Sequence, residues 1–283
     1  MKKLVLRKLR FLCIAVVLFV GCDSDFLWRL SIYSDSQILA MADEEYDAFL
    51  KEHPPVKTTD PAPLGDQAKL VKQVGKDIAD AAKIWLESDS EKPKGIDANS
   101  IKNFQWEYEL VNDTTVNAWC MPGGKIVVYT GILPVTENAD GLAIVMGHEV
   151  CHAIFNHGKK RMTASFWQQL GGAVLGMFTD SQLIMAAYGL GTNLGLMLPF
   201  GRDNESESDH YGLILAAVAG YDPEEAPKFW ERMAKKSGGA GNKVTEFFST
   251  HPSHATRIND LKGWKQEAKD TAAKLNPKPI GKE

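Results

Sequence analysis

The chain has 283 residues, 44% of them hydrophobic, and a formal net charge of −4 at pH 7. A chain of this length can bury one substantial core, so we expect one main domain. Nucleic acid is excluded as an expected partner, because phosphate binding requires a basic face that this composition does not supply.

The first 21 residues have the pattern of an export signal. They carry five basic residues and no acidic one, and an apolar run follows the basic residues at 11–20. This run is too short for a spanning helix, which needs about 20 apolar residues. Removal of this segment would take the formal net charge from −4 to −9, because it carries five positive charges and no negative one.

The sequence FVGC, which ends at Cys22, resembles the lipobox of bacterial lipoproteins, in which the cysteine is lipidated and becomes the mature N-terminus. Phe19 stands where the usual leucine is found. We therefore expect a signal peptide at 1–21, lipidation of Cys22 and a membrane tether at 22–35. An uncleaved signal anchor and simple secretion are the alternatives, and the choice between inner and outer membrane stays open.

The remaining chain predicts an α+β fold that is mainly helical, with a small sheet. Helical spacing of apolar residues occurs at 36–51, 66–87, 137–161, 202–219, 223–235 and 255–274. Strands are predicted at 104–111, 117–121 and 125–130, and the last two are joined by a Pro-Gly-Gly turn into a hairpin. We expect the main domain to span 36–275, with a connection over 247–254 and a flexible tail at 276–283.

Two long segments, 163–179 and 181–201, contain no charged residue. The second is long enough to cross a membrane, but three glycines and a proline interrupt it. We therefore expect a buried helix followed by a loop that lines the cleft, with contact to the membrane left open. A membrane-spanning helix in this segment is the alternative.

The sequence HEVCH, at 148–152, has the spacing of a zinc site. On a helix, His148 and His152 lie about 40° apart on one face, so both imidazoles can bind one ion. Glu149 lies at the edge of that face, where a carboxylate can take a proton from a water molecule activated by the metal. The alternative is a chance match on an amphipathic helix.

A catalytic zinc site needs a third protein ligand. His157 is an unfavourable candidate, because on a continuous helix it faces away from His148. Glu205 and Asp209 share one face of the predicted downstream helix, so one can bind the metal while the other accepts a hydrogen bond from a liganding histidine. Glu207 faces away from them and is expected to be solvated. The alternative is a charged helix N-terminus favoured by the helix dipole.

Together these motifs resemble those of the HtpX-like and Oma-type zinc metallopeptidases, which are related to the CAAX prenyl protease. The resemblance covers about 36–275 and rests on HEVCH, on ESESD at 205–209 with Gly212, on His251-Pro252 with Arg257, and on the hairpin NAWCMPGGKIVVYTGIL. It implies a zincin-like fold with one zinc ion per chain. Ser208 stands where the family motif usually has alanine, a small change that should leave ligation intact.

The resemblance also implies roles for individual residues. The expected zinc ligands are His148, His152 and Glu205. Glu149 is the expected general base, and Asp209 and Arg257 are expected to support the site. His251 would either donate a hydrogen bond to the oxyanion or occupy the open position on the metal and hold the enzyme latent. His210 and His254 are expected to be structural.

The predicted hairpin next to the metal helix has a possible role in substrate binding. A strand there could offer its open edge to an extended peptide, through main-chain atoms that do not depend on side-chain identity. The expected edge residues are Gly124, Lys125, Ile126 and Val127. Cys120 lies in the same hairpin, and the sequence leaves open whether it forms a disulfide with Cys151.

These expectations describe a membrane-tethered endopeptidase of the bacterial envelope, whose substrates are misfolded or exposed proteins. An alternative from another class is a lipoprotein chaperone or adaptor that contains a structural zinc and cleaves nothing. The sequence does not determine the oligomeric state.

Overall fold

The computed structural model describes residues 31–90, 92–93, 96, 99, 101–177, 179, 181–193, 197–237, 245–251 and 256–276. Its helices are α1 (Asp35–Glu52), α2 (Leu64–Glu87), α3 (Leu133–Thr136), α4 (Ala139–Ile154), α5 (His157–Gly176), α6 (Gln182–Thr192), α7 (Leu198–Val218), α8 (Glu225–Ser237), α9 (Thr245–Thr250) and α10 (Arg257–Leu275). Its strands are β1 (Glu107–Val111), β2 (Ala118–Met121) and β3 (Lys125–Tyr129). The prediction of a mainly helical α+β fold is confirmed. The predicted signal peptide, Cys22, His254 and the tail beyond 276 lie outside the described residues.

The three strands form one sheet in the order β1–β3–β2, in which β3 is parallel to β1 and antiparallel to β2. Gly123 and Gly124 join β2 to β3 with φ angles of 90° and 84°, which glycine adopts without a steric penalty. Side chains of β3 alternate between two layers. Ile126 and Val128 enter the main core with α2 and α4, while Val127 packs on the face that α1 covers.

The predicted position of the substrate edge is wrong. The four residues Gly124, Lys125, Ile126 and Val127 begin the central strand, and the main-chain groups of β3 are paired on both sides. The outer edge of β1 is partly covered, because the amide of Val56 donates to the carbonyl of Leu110 at 2.8 Å. Among the described residues, no strand pairs with the outer edge of β2. β2 packs on α4 and is therefore the open edge nearest the metal helix.

Helices α4 and α7 cross at a pair of glycines. A Cβ atom at Gly212 would lie 2.7 Å from the backbone nitrogen of His148, and a Cβ atom at Gly147 would lie 2.5 Å from the carbonyl oxygen of Gly212. Real side chains do not approach backbone so closely, so only glycine allows this crossing. The close approach brings the carboxylates of α7 to the histidines of α4.

The helix that carries HEVCH is shorter than predicted. It begins after Asn138, whose side chain accepts a hydrogen bond from the amide of Gly141 at 2.8 Å, and it ends at Ile154. Asn156 then adopts a left-handed conformation with φ 55°, which asparagine tolerates better than most residues. The predicted helix over 137–161 is therefore two helices, and His157 begins the second.

α5 and α6 form an antiparallel hairpin. The side chain of Gln168 donates to the hydroxyl of Thr192 at 2.7 Å, and the hydroxyl of Tyr188 donates to the carbonyl of Gln168 at 3.0 Å. The expectation of a buried helix here is wrong, because Leu183 on α6 is 80% exposed and Met177 at the end of α5 is 81% exposed. No helix within the described ranges is long and apolar enough to cross a bilayer.

The C-terminal helices form the wall opposite the sheet. α10 packs on α7 and α8, which buries Leu261 and Ala268 in the main core. The predicted connection over 247–254 is wrong at its start, because α9 continues as a helix to Thr250. Phe247 of α9 is buried against the ring of Trp230, and this contact places His251, the next residue after α9, over the end of α4.

Candidate active site and metal centre

Four buried side chains from three parts of the chain converge at one point. They are His148 and His152 of α4, Glu205 of α7 and His251 after α9, and their ligand atoms all lie within 4.8 Å of one another. The Nε2 atoms of the two α4 histidines are 3.0 Å apart. Nδ1 of His251 lies 3.2 Å from Nε2 of His148, and Oε1 of Glu205 lies 3.3 Å from Nε2 of His152.

The spacing of these donors fits a tetrahedral zinc ion. Ligand atoms about 2.0–2.1 Å from zinc lie about 3.3–3.4 Å from one another when the angles are tetrahedral. Neighbouring donors here are 3.0, 3.2, 3.3 and 3.4 Å apart. Three imidazole nitrogens and one carboxylate oxygen also match the ligand chemistry of zinc. The four residues could therefore hold this metal.

His148 is oriented by a buried carboxylate and an arginine. Its Nδ1 donates to Oδ1 of Asp209 at 2.9 Å, because an ionised carboxylate can only accept, and this leaves Nε2 free to face the metal position. Arg257 donates to Asp209 through Nε at 2.5 Å and to Glu205 through Nη2 at 3.1 Å. The guanidinium lies 3.5 Å from the centre of the Trp230 ring and is almost fully buried.

His152 is oriented by His157, which was predicted to lie on the opposite face of the helix. Nδ1 of His157 lies 2.9 Å from Nδ1 of His152, and Nε2 of His157 lies 2.9 Å from Oε2 of Glu207. Only one proton arrangement satisfies all three groups while His152 binds a metal through Nε2. His152 donates from Nδ1, and neutral His157 accepts at Nδ1 and donates from Nε2 to the carboxylate.

The prediction that His157 is not a zinc ligand agrees with its place outside the four donors, but its predicted position facing away from them is wrong, as is the predicted solvation of Glu207. His157 is only 1% exposed and contacts a residue of the ligand group, because the turn at Asn156 ends the helix on which the expectation rested. Glu207 is partly buried and bonded to His157, where a solvated side chain was expected. The asparagine at 156, just beyond the last helical residue, is the residue type in the sequence that favours such a break.

The protonation of the site follows from its burial and its carboxylates. Burial lowers the pKa of His148, but hydrogen bonds to Asp209 and Glu205 outweigh this effect and raise it to about 10. Burial raises the pKa of Glu205, and hydrogen bonds from the surrounding histidines reverse this and hold it far below its usual range. Burial keeps the pKa of His157 well below its usual value, in agreement with the neutral form. Glu205 is therefore ionised, as a metal ligand must be.

The two cysteines and His210 lie outside the group of four donors. Cys120 and Cys151 are free thiols, so the disulfide alternative is wrong. Burial raises the pKa of both thiols well above the usual value, which makes them poor nucleophiles. His210 bonds to Glu267 at 2.8 Å and stacks on Trp264, away from the metal position.

Comparison with known sequences agrees with this geometry. The family model described as Peptidase family M48 matches residues 80–265, which is more than half of the chain.

The chain belongs to peptidase family M48.

Proteins similar to this M48 chain include some that are named mitochondrial and some from bacteria. The protein named "Mitochondrial metalloendopeptidase OMA1" of Schizosaccharomyces pombe is 36% identical over 173 residues, which cover 61% of this chain and 50% of the relative. "Metalloendopeptidase OMA1, mitochondrial" of Danio rerio is 29% identical over 259 residues, covering 88% and 50%. "Beta-barrel assembly-enhancing protease" of Escherichia coli is 29% identical over 174 residues, covering 58% and 35%. The chain thus spans half or less of the length of these relatives.

Membership in M48 identifies the metal that the site fits. Metallopeptidases of this family use zinc, and the buried group of His148, His152, Glu205 and His251 could hold it. The sequence named three of these residues as ligands and left His251 with two possible roles. Its convergence with the other three is visible only in the fold.

Proposed function

We propose that the chain is a zinc-dependent endopeptidase with Glu149 as the general base, and the position of Glu149 is the observation that carries the proposal. Its side chain is buried beside the ligand group, 3.3 Å from Nε2 of His251. The contact is made by Oε1 and lacks hydrogen-bond geometry, and Oε1 has no other partner among the described residues. A buried carboxylate oxygen without a hydrogen bond destabilises a fold, so its presence here is better explained by chemistry than by stability.

The residues of the site have separate tasks in hydrolysis. A zinc ion held by His148, His152 and Glu205 would polarise the scissile carbonyl and lower the pKa of a water molecule. Glu149 takes the proton from that water and later gives it to the leaving amine. Asp209 keeps the His148 ring in the tautomer that presents Nε2 to the metal position.

His251 acts as a gate in this proposal. Its Nδ1 lies among the other three donors, and its Nε2 faces Glu149, so it takes the place where water would approach the base. This position supports the latent alternative over an oxyanion donor, because the ring is directed into the ligand group. Movement of His251 would open the fourth position.

The substitution His251→Ala tests the gate. A gate predicts faster hydrolysis of an unfolded protein substrate by the zinc-loaded variant. An oxyanion donor predicts the opposite, a loss of roughly 10²–10³ in kcat. His210→Ala is the matched control, since His210 is bonded on the far side of α7 and contacts none of the four donors.

We place the substrate at the outer edge of β2, where it would pair as an additional strand. β2 packs on α4, the helix that carries Glu149, so this strand lies beside the base. An extended peptide paired with β2 would be held by main-chain hydrogen bonds that accept many sequences. Unfolded or exposed segments of envelope proteins are therefore the proposed substrate class, and such a role would be one of quality control.

The proposed location is the periplasmic side of the bacterial envelope, through a lipid on Cys22. The basic and apolar N-terminal segment and the FVGC sequence support it. Metabolic labelling with a radioactive fatty acid tests it, with Cys22→Ala as the variant and Cys120→Ala as the control. Incorporation that survives in Cys22→Ala would rule out the lipoprotein assignment.

A zinc-containing adaptor is the second candidate function, because four protein donors without a water position are typical of structural zinc. Glu149→Gln separates the two. The endopeptidase predicts stoichiometric zinc in this variant together with a loss of roughly 10²–10⁴ in the rate of cleavage of an unfolded substrate. Cleavage at the wild-type rate by zinc-loaded Glu149→Gln would contradict the proposed mechanism.

The third ligand has its own test. Glu205→Ala in a His251→Ala background should lose stoichiometric zinc, because only the two histidines of α4 would remain of the four donors. Retention of the metal by this variant, measured by atomic absorption on the purified protein, would move the third ligand elsewhere.

A further inference from the structure

The α5–α6 hairpin exposes an apolar surface that the active site does not use. Its members are exposed by 40–81%, and we call these five residues the hairpin surface: Leu170, Val174, Met177, Leu183 and Leu190. From 162 to 201, the sequence contains a single charged residue, Asp180. An exposed apolar surface of this extent, on a segment with one charged residue in 162–201, is typical of a contact with another apolar phase.

The hairpin projects from the domain. α6 packs mainly on α5, and α5 packs on the domain chiefly through α4, which precedes it in the chain. A two-helix hairpin attached at its base cannot bury its own apolar residues on both outer sides. The hairpin surface therefore needs a partner that the part of the domain described by the structure does not supply.

The N-terminal segment reaches the domain on one face of α5. The hydroxyl of Thr163 donates to the hydroxyl of Ser31 at 3.2 Å, and Lys159 pairs with Asp35 at 2.6 Å. At about 100° per residue, Leu170 and Val174 lie about 20° to either side of Thr163 around the helix. The chain that leads to the predicted lipid thus arrives on the same face of α5 as the exposed leucine and valine.

The tether between the lipid and this contact is short. Cys22 and Ser31 are nine residues apart, so an extended chain between them spans at most about 30 Å. Along α5, Met177 lies 14 residues beyond Thr163, or about 21 Å. The base of the hairpin is therefore held within reach of the bilayer, and the hairpin can touch the membrane without any release of the anchor.

We propose that the hairpin surface docks on the membrane to which the N-terminus is anchored. The occupant is the lipid bilayer, because Ser31 and Asp35 contact the face of α5 that carries Leu170 and Val174, and because 162–201 contains one charged residue. The helices lie in the interface and do not span it, since they are too short and too interrupted to cross. The inference rests on the proposed lipid anchor, and it fixes which side of the peptidase faces the membrane.

Photo-crosslinking on the full lipidated chain tests the docking. Met177 and Leu183 are each replaced with the photoreactive p-benzoylphenylalanine, and Ala273 on α10 is the control, because it is exposed on a helix that packs on α7 and α8. Each protein is bound to vesicles of phosphatidylethanolamine and phosphatidylglycerol, floated, irradiated and digested. The expected result is lipid adducts at positions 177 and 183 and none at 273.

The other occupants are distinct outcomes. Adducts to the chain's own residues 1–30 would show that the N-terminal segment covers the surface, and a dimer-sized product would show that a second copy does. Either result, or a chain that floats and yields no lipid adduct, overturns the docking while the anchor stands. A chain that does not float overturns the anchor and the docking together, whereas the zinc assay of Glu149→Gln remains unaffected.

Leu183→Glu combined with p-benzoylphenylalanine at Met177 gives an independent check. A glutamate at an 80%-exposed position leaves the fold intact, but its charge opposes insertion into lipid. The lipid adduct at position 177 should fall severalfold, while flotation through the lipid anchor and peptidase activity in detergent stay unchanged. An unchanged adduct yield would contradict docking through α6.

Discussion

Removal of the His157 side chain should weaken zinc binding although this residue does not touch the metal position. His157 is only 1% exposed and accepts the Nδ1 proton of His152 while donating to Glu207. In His157→Ala the Nδ1–H group of His152 stays buried without an acceptor, at a cost of about 1–3 kcal/mol. This agrees with the roughly 10–100-fold loss of affinity that follows loss of a hydrogen-bond partner of a metal ligand.

The assay is competition for zinc between the protein and a chromophoric chelator, which reports the dissociation constant without any need for catalysis. Chemical denaturation measured in EDTA separates loss of affinity from loss of stability. His157→Gln should restore part of the affinity, because its amide oxygen can accept and its amide nitrogen can donate. His210→Ala, whose side chain bonds to Glu267, is the matched control. The reasoning is refuted if His157→Ala binds zinc as tightly as the control.

Four further outcomes test the fold and the site. Gly212→Ala should lower the free energy of unfolding by about 1–3 kcal/mol in a urea titration, because its Cβ would lie 2.7 Å from the backbone nitrogen of His148. Tyr221→Phe should lower it by about 1–3 kcal/mol, because the tyrosine hydroxyl donates to the buried carboxylate of Asp77 at 2.7 Å. Arg257→Met should cost about 3–5 kcal/mol, because its two buried carboxylate partners lose their cation, and a loss under 1 kcal/mol would contradict this. EDTA should lower Tm in scanning calorimetry, since zinc at about 100 times Kd stabilises by about 2.7 kcal/mol.

The helices and strands were predictable where a single period dominated the sequence. α2 was predicted from 66 and begins at Leu64, and all three strands were placed within three residues of their ends. The pairing of the strands was not predictable, because β1 joins β3 in parallel across the hairpin, and local sequence carries no signal for a partner 18 residues away. The substrate edge was placed on the wrong strand for this reason.

The prediction for the uncharged segment at 181–201 was wrong for a different reason. Hydrophobic content predicts that a helix has an apolar partner, but it does not say whether that partner is protein or lipid. The segment at 181–201 was expected to hold a buried helix, and Leu183 is 80% exposed instead. Composition predicts that apolar residues are buried only when the same chain supplies the residues that cover them.

The carboxylates of α7 show how helix geometry and chain geometry combine at the site. Glu205 and Asp209 are four residues apart and lie on the same face of α7. Glu205 lies among the donors, and Asp209 accepts a hydrogen bond from His148. Glu207 is about 200° from each of them, so it cannot reach the donors directly. The left-handed turn at Asn156 changes the direction of the chain and places His157 within hydrogen-bond distance of Glu207. Glu207 therefore acts on the donors through His157. Both α4 histidines are thus oriented from one helix, the first directly and the second through an imidazole. Glu207→Ala should therefore weaken zinc binding less than His157→Ala, because it removes the hydrogen bond between Glu207 and His157 and leaves the one between His157 and His152 in place.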